Sequence, residues 1–278
     1  MAYLLSKENF SKLGEFIYRK SGISLEVDKH YEKLGKYIDK RSKELGLDNF
    51  RKYFFKLRFE DKDGLEFQEL MNAVTVNETY FFREKDQFEV LVNHVLPELH
   101  KTRPSSKPLR ILSAPSSTGE EPYSMVLHIL EEDIVVNERD IEIVGIDIDS
   151  TVIEKAKAGH YSARSIHAIP KPMLGQYFEK KKFEFHLIDD LIGSVDFQVV
   201  NIFDKAQVRA LGKFDVIFSR NMLIYFDDAS RKDVAMSFYD MLNPGGYVML
   251  GHAEYMSRIV SVFEAKKVGS TLIYKKQK

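Results

Sequence analysis

"LRILSAPSSTGEEPYSMVLHIL", residues 109–130, is a short apolar run, a turn, and a second apolar stretch with helical spacing. A strand that runs into a turn opening a helix is where nucleotide-like ligands usually bind in α/β proteins. This turn carries one glycine, Gly119, followed at once by Glu120 and Glu121. Two carboxylates stand where a phosphate would otherwise lie, and no G-x-G-x-x-G is present, which removes the dinucleotide cradle. The turn suits a ligand with positive charge, unless the pair serves only to complement a helix dipole.

The flanking sequence repeats the same rhythm. The runs "LRILSA", "IEIVGIDID", "FQVVNIFD", "FDVIFSRN" and "GGYVMLGHAE" alternate with helical stretches such as "STVIEKAKAG" and "DASRKDVAMSFYDML". Short continuous apolar strands separated by helices predict a parallel sheet covered on both faces. "FEAKKVGSTLIYKK" alternates without a helix and is expected to join the sheet edge antiparallel. The fold class is therefore α/β, a Rossmann-like doubly wound sheet with an antiparallel edge strand. "YFEKKKFEFHLIDDLIGSV" interrupts this rhythm and reads as a small β excursion, an inserted subdomain at about 177–200.

Ligands of such sheets sit outside the carboxyl ends of the strands. The first end offers Glu120 or Glu121, and the second, "GIDID", offers Asp147, 27 residues beyond Glu120. An acidic residue there commonly holds a ribose diol. A ribose, no phosphate and a positive charge together describe S-adenosylmethionine. Its ammonium would pair with a glutamate of the first turn, and its ribose hydroxyls would bond Asp147.

The rest of the chain divides by composition. Residues 1–90 read as a small helical domain of about four helices, residues 91–107 as a helix and linker, and residues 108–278 as the α/β domain. Phe10, Leu13 and Ile17 fall on one helical face; Tyr31, Leu34, Ile38 and Leu45 repeat the spacing, with Asp28 as expected N-cap. "KDQFEVLVNHVLPELH" predicts a further helix ending near Pro97. Residues 1–60 carry 14 Lys and Arg against 9 Asp and Glu, although the whole chain is at −1. Such a basic module is suited to an acidic partner, and the second helix would expose Lys29, Lys33, Lys36, Lys40 and Lys43. There are no cysteines, which excludes disulfides and thiolate chemistry and fits a cytoplasmic chain. No apolar run reaches the roughly 18 residues of a membrane span. His160 and His167, seven apart without a carboxylate pattern, give no expectation of a metal site.

Taken in order, "NETYFFRE" (77–84), "SSTGEEPYS", "GIDID" followed by "AKAGHYS", "FDVIFSRNMLIYFD" and "LNPGGYVMLGHAE" resemble the chemotaxis receptor glutamate O-methyltransferases, the CheR family. The resemblance covers nearly the whole chain. It implies a helical N-terminal domain for substrate recognition, a class I S-adenosylmethionine-dependent methyltransferase domain, and a small β-subdomain inserted within it. It implies an enzyme that methylates specific glutamate side chains of chemoreceptors in chemotaxis adaptation, converting the cofactor to S-adenosylhomocysteine. By position, it implies cofactor roles for Asn77, Thr79, Arg83, Glu120 rather than Glu121, Asp147, Asn201, Ile202, Arg220 and Asn221, with Arg83 and Tyr225 as the catalytic pair.

The expected partner is the cytoplasmic helical bundle of a chemoreceptor, with no nucleic acid, no membrane insertion and a monomeric chain. Two departures from the family stand out. "YFEKKKFEFHL" lacks the glycine-rich loop of members that tether to a receptor C-terminal peptide, so a peptide-independent enzyme is expected. Pro115 and Ser116 replace residues that are more often small or Cys, stiffening the turn without removing a ligand. The alternatives are another class I methyltransferase acting on RNA or a small molecule, and a non-catalytic signalling adaptor that senses the cofactor. An NAD-dependent dehydrogenase is weakest, for want of the glycine fingerprint.

Overall fold

The protein is described by a computed structural model covering residues 4–132 and 140–277. The chain groups into two compact units. The smaller comprises residues 1–76 with 225–230; the larger comprises 77–224 with 231–278. Residues 77–90, read from the sequence with the helical domain, thus group with the larger unit.

In the smaller unit, α1 (Lys7–Ser21) begins where the Ser6 side chain accepts a hydrogen bond from the Asn9 amide, and it ends at Gly22 in the left-handed region. α2 (Val27–Glu44) starts after Glu26, so Asp28 lies in its first turn rather than at the cap. There its charge still complements the helix dipole. α3 (Phe50–Phe55) runs into a π turn, and α4 (Leu65–Val74) completes the bundle. Phe10, Leu13, Ile17, Leu34, Ile38, Tyr53, Leu57, Leu70 and Met71 form its core. The buried Glu66 carboxylate is clamped by the Arg41 guanidinium at 2.8–3.1 Å, so the one acidic side chain in this core is charge-paired. Residues 225–230 join the unit through a Ser24 N–H to Tyr225 carbonyl bond of 3.0 Å and a Tyr18 hydroxyl bond to Asp227 of 2.9 Å.

The larger unit opens with one helical stretch, α5 (Lys85–Val90), a π turn over Leu91–Val95, and α6 (Leu96–Thr102). The helix does not stop near Pro97 as the sequence suggested; it continues to Thr102. Proline lacks an amide donor and collides with the carbonyl four residues earlier, and the wider turn just before it accommodates both demands.

The strands follow in chain order: β1 (Leu109–Ser113), α7 (Glu120–Glu132), β2 (Ile141–Asp147), α8 (Ser150–Ala158), β3 (His160–Ser162), α9 (Lys171–Tyr177), β4 (Phe178–Lys181) and β5 (Glu184–Leu187). Then come β6 (Val195–Val199), α10 (Lys205–Ala210), β7 (Phe214–Ser219), α11 (Asp228–Met241), β8 (Leu242–Leu250), β9 (Phe263–Val268) and β10 (Thr271–Lys276). Seven of the strands form one sheet in the order β6-β2-β1-β7-β8-β10-β9. Its first five strands are parallel, and β10 pairs antiparallel with both β8 and β9. This is the doubly wound α/β sheet with an antiparallel edge read from the sequence.

Strand order reverses at β1, which has β2 on one side and β7 on the other. The crevice at the carboxyl ends of these strands is therefore the expected ligand seat. The remaining strands form a separate sheet, β3-β5-β4. The insertion thus draws in "HYS" (160–162), while β6 belongs to the main sheet.

Candidate functional site

The turn after β1 is held from below and crowded from the side. The Ser116 amide donates to the Ile146 carbonyl at 2.7 Å, and the Ser117 amide donates to Asp147 Oδ2 at 3.0 Å. Gly119 has φ +95°, and a Cβ there would stand 3.0 Å from Ala156 Cβ and 3.0 Å from the Tyr161 hydroxyl. Both the conformation and the crowding require glycine. The turn delivers Glu120 to the first position of α7, 2% exposed. Its carboxylate accepts from the Thr118 hydroxyl at 2.5 Å and the Ser165 hydroxyl at 2.9 Å. Burial pushes its pKa upward, against the pull of those hydroxyls, and no cation contributes among the described residues.

Glu121 faces elsewhere. Its carboxylate accepts from the Ser113 hydroxyl at 2.7 Å and from Arg220 Nη1 at 3.0 Å. The same guanidinium reaches Glu84 Oε2 at 3.2 Å and donates to the Arg83 carbonyl, with Phe88 beneath it. Burial raises the Glu121 carboxyl, opposed by Arg220. Consecutive helical residues point about 100° apart, so one glutamate of the pair enters an ion-pair network while the other meets only neutral donors among the described residues. Arg220, an expected cofactor residue, spends its guanidinium on this network and locks the segment after β7 to residues 83–84 and to α7.

Asp147, at the end of β2, is 5% exposed. It accepts from the amides of Ser117 and Asp149 at 3.0 Å each, and burial lifts its pKa to about 6. Asp149 caps α8 by accepting from Thr151 and Val152 amides, and its other oxygen accepts from Asn77 Nδ2 at 2.8 Å. Asn77 is thereby brought to the acidic turn from a point 72 residues away. Arg83 is half-buried, and its Nη1 donates to the Glu78 carbonyl at 3.1 Å. Thr79 lies half-buried in the same segment. After β6, the Asn201 side chain accepts from the Phe203 amide at 3.0 Å, and Ile202 is buried. After β7, Asn221 adopts φ +58° while its amide donates to Glu254 Oε2 at 2.8 Å.

The described residues with positive φ other than glycine include Phe82, Glu84, Ser117 and Asn221, all in these segments. Such conformations cost about 1–3 kcal/mol each and persist only where the surroundings over-determine them. Tyr225 belongs to the smaller unit, where its hydroxyl donates to the Val76 carbonyl at 3.3 Å.

Three contributors were not legible beforehand. Glu254 is a buried carboxylate, raised by desolvation, that accepts from the amides of Asn221, Leu223 and Gly251 and so fixes the loop after β7. Glu84 and Ser165 complete the Arg220 network and the Glu120 pair of hydroxyls. Glu254 ends the "LGHAE" run and was visible as a residue, but its acceptor role depends on amides 31 to 33 residues away.

The strand ends thus gather buried carboxylates and no glycine-rich phosphate cradle. Glu120 in particular is a buried carboxylate whose described partners are two hydroxyls and a backbone amide, all neutral, an arrangement that favours a bound cation. A model of the family described as "CheR methyltransferase, SAM binding domain" matches residues 77–271. The chain belongs to the CheR methyltransferase family. It is 44% identical to Chemotaxis protein methyltransferase 2 of Vibrio cholerae, over 99% of this chain and 95% of that one. It is 32% identical to the Chemotaxis protein methyltransferase of Salmonella typhimurium, over 94% of this chain and 88% of that one. The Escherichia coli protein of the same name is 32% identical, over 92% and 87%.

The cofactor of this CheR chain is S-adenosylmethionine, and its activity is cofactor-dependent methylation in chemotaxis. The residues present fit that cofactor: a buried carboxylate suited to its ammonium at Glu120, and an acceptor suited to ribose hydroxyls at Asp147. None of the helices of the described residues is long and apolar enough to cross a membrane.

Proposed function

We propose that this CheR chain converts specific glutamate side chains of chemoreceptors to methyl esters, with Glu120 and Asp147 as the two anchoring carboxylates for the cofactor. Glu120 carries the proposal. It is a buried carboxylate held by two hydroxyls and a backbone amide, none of them charged, next to a glutamate that is already charge-paired. Asn77, Thr79, Arg83, Asn201, Ile202, Arg220 and Asn221 complete the set, Arg220 and Asn221 by shaping the loop after β7.

The acceptor chemistry needs no dedicated base. A glutamate side chain has an ordinary pKa near 4.3 and is ionised at neutral pH. When bound, S-adenosylmethionine would supply an electrophilic methyl group; a carboxylate oxygen would bond that carbon in line as its bond to sulfur breaks, leaving S-adenosylhomocysteine. The protein's share is alignment, worth up to roughly 7–11 kcal/mol in well-oriented reactions. Charge is lost on the way to the ester, so a tight cation on the acceptor would stabilise the ground state more than the transition state. Arg83 is proposed to orient the acceptor carboxylate without clamping it. Tyr225 is proposed to take the role of the family tyrosine, positioning the methyl donor or the acceptor oxygen.

The names of the relatives support a chemotaxis substrate. The helical unit supports an acidic one: Lys29, Lys33, Lys36, Lys40 and Lys43 of α2 are all exposed. Lys29, Lys36 and Lys40 pair with Glu26, Glu32 and Glu44 on the surface. Such pairs contribute about 0–1 kcal/mol and exchange readily for a partner's carboxylates. The β4–β5 hairpin turns through Lys182 and Phe183 without glycine, which supports action independent of a receptor C-terminal peptide.

The test is transfer of labelled methyl groups from S-adenosylmethionine to membranes bearing chemoreceptors, followed by brief alkali. Label released as methanol is expected, because carboxyl methyl esters are base-labile. Alkali-stable label, or none on any receptor, would overturn the proposal.

A further inference from the structure

His160 and His167 gave no metal pattern along the chain, but β-pairing supplies His160 with different neighbours. β3 and β5 run antiparallel with His160 directly opposite His186 and Ser162 opposite Glu184. Side chains alternate across a sheet, so residues 160, 184 and 186 share one face. The opposite face carries Tyr161, Phe178, Phe185 and Leu187, which are buried or half-buried against the main core. His160 and Glu184 are exposed, and His186 is half-buried.

The three side chains converge. One ligand atom from each lies within 4.8 Å of the others. The two imidazoles stack with centroids 3.7 Å apart, and His186 Nε2 stands 3.6 Å from Glu184 Oε2. The backbone beneath them is fixed. The Leu187 amide donates to the Gly159 carbonyl at 2.9 Å, and Gly159 has φ +66° with Ile192 Cδ1 only 2.5 Å from where a Cβ would be. The backbone that carries His160 is held in place by this close approach, while its exposed side chain keeps rotational freedom.

We propose that His160, Glu184 and His186 form a binding site for a divalent late-transition ion, with zinc the ion best matched to the set. Two imidazoles and one carboxylate with a remaining open position is an established zinc donor set. Ligands about 2.0–2.1 Å from a tetrahedral zinc lie roughly 3.3 Å from one another, so the side chains need to close by about 1–1.5 Å. Glu184 and His160 are at the surface and can do so by rotation. The site joins β3, which leaves the main fold directly after α8, to the β4–β5 hairpin. Its effect is to staple a three-stranded sheet of short strands. It uses none of the strand-end residues described above and does not rest on the methyl-transfer proposal.

The experiment is calorimetric titration of Zn²⁺ into the untagged full-length chain in a non-coordinating buffer, beside the H160A/H186A and H94A variants. Wild type and H94A, whose histidine is exposed elsewhere, are expected to take up one equivalent. H160A/H186A is expected to lose it, and zinc is expected to raise the Tm of wild type but not of that variant. Absence of uptake by wild type, or equal uptake by H160A/H186A, would overturn the proposal. Should the double variant fail to fold, Glu184→Gln decides. Weakening of zinc binding by about tenfold or more supports the site, and unchanged affinity refutes it.

Discussion

Replacing Glu120 with Gln removes one charge and almost no volume. The amide can keep both hydroxyl contacts, accepting from Ser165 and donating to Thr118 Oγ1, which stand at 2.9 and 2.5 Å from the carboxylate. What is lost is the charge that the cofactor's ammonium would meet. Deleting one partner of a buried, hydrogen-bonded charge pair costs about 2–5 kcal/mol, or roughly 30- to 4,000-fold in Kd at 1.4 kcal/mol per tenfold. The free protein should respond in the opposite sense. Burial raises the folded pKa of Glu120 above its unfolded value, so the native state holds more protons in the window between the two. The group's favourable contribution is present below the unfolded pKa and is lost as pH rises through the folded one. Near neutrality the wild type bears a desolvation cost that Gln largely escapes. The expected result is weaker S-adenosylhomocysteine binding by calorimetry, with an unchanged or higher Tm without ligand. An unchanged Kd with a Tm lowered by several degrees would refute the reasoning and leave Glu120 as a helix-start residue.

Asp147, with its pKa lifted to about 6, should make cofactor affinity fall as pH drops through about 6, where the carboxylate takes up a proton; Asp147→Asn should flatten that calorimetric profile. By the same sign argument, stability from this group diminishes as pH rises through about 6, and Asp147→Asn should remove that slope from urea unfolding curves. Arg220→Met strands Glu84 and Glu121 in the interior and should destabilise by about 3–5 kcal/mol in urea unfolding; a loss below 1 kcal/mol would mean the network is dispensable. Gly119→Ala meets both a left-handed backbone and contacts at 3.0 Å, so about 1–3 kcal/mol of stability should go, together with cofactor affinity measured by calorimetry. An unperturbed variant would show that the turn is not held as described.

The sheet was legible because its strands are continuous apolar runs and its edge alternates, patterns written within each segment. The strand-end residues followed, since the fold places chemistry at those ends. What distinguishes Glu120 from Glu121 is not legible from spacing, because Glu121's partner is Arg220, 99 residues further along. The family resemblance implies Glu120, and the pairing of Glu121 with Arg220 supports that proposal. Pro97 suggested a helix end, and a π turn over Leu91–Val95 absorbed it, a local widening with no sequence signature of its own. Glu254 and the His160–His186 pairing depend on tertiary and cross-strand neighbours, which no local period encodes.

In the proposed site Glu120 recognises the ammonium of an adenosyl cofactor. The most direct measurement is a thermodynamic cycle: binding of S-adenosylhomocysteine and of its analogue lacking the amino group, each to wild type and to Glu120→Gln. The amino group is expected to contribute strongly to binding in wild type and little in the variant, a coupling of at least about 1 kcal/mol. An equal contribution of the amino group in both proteins would contradict it.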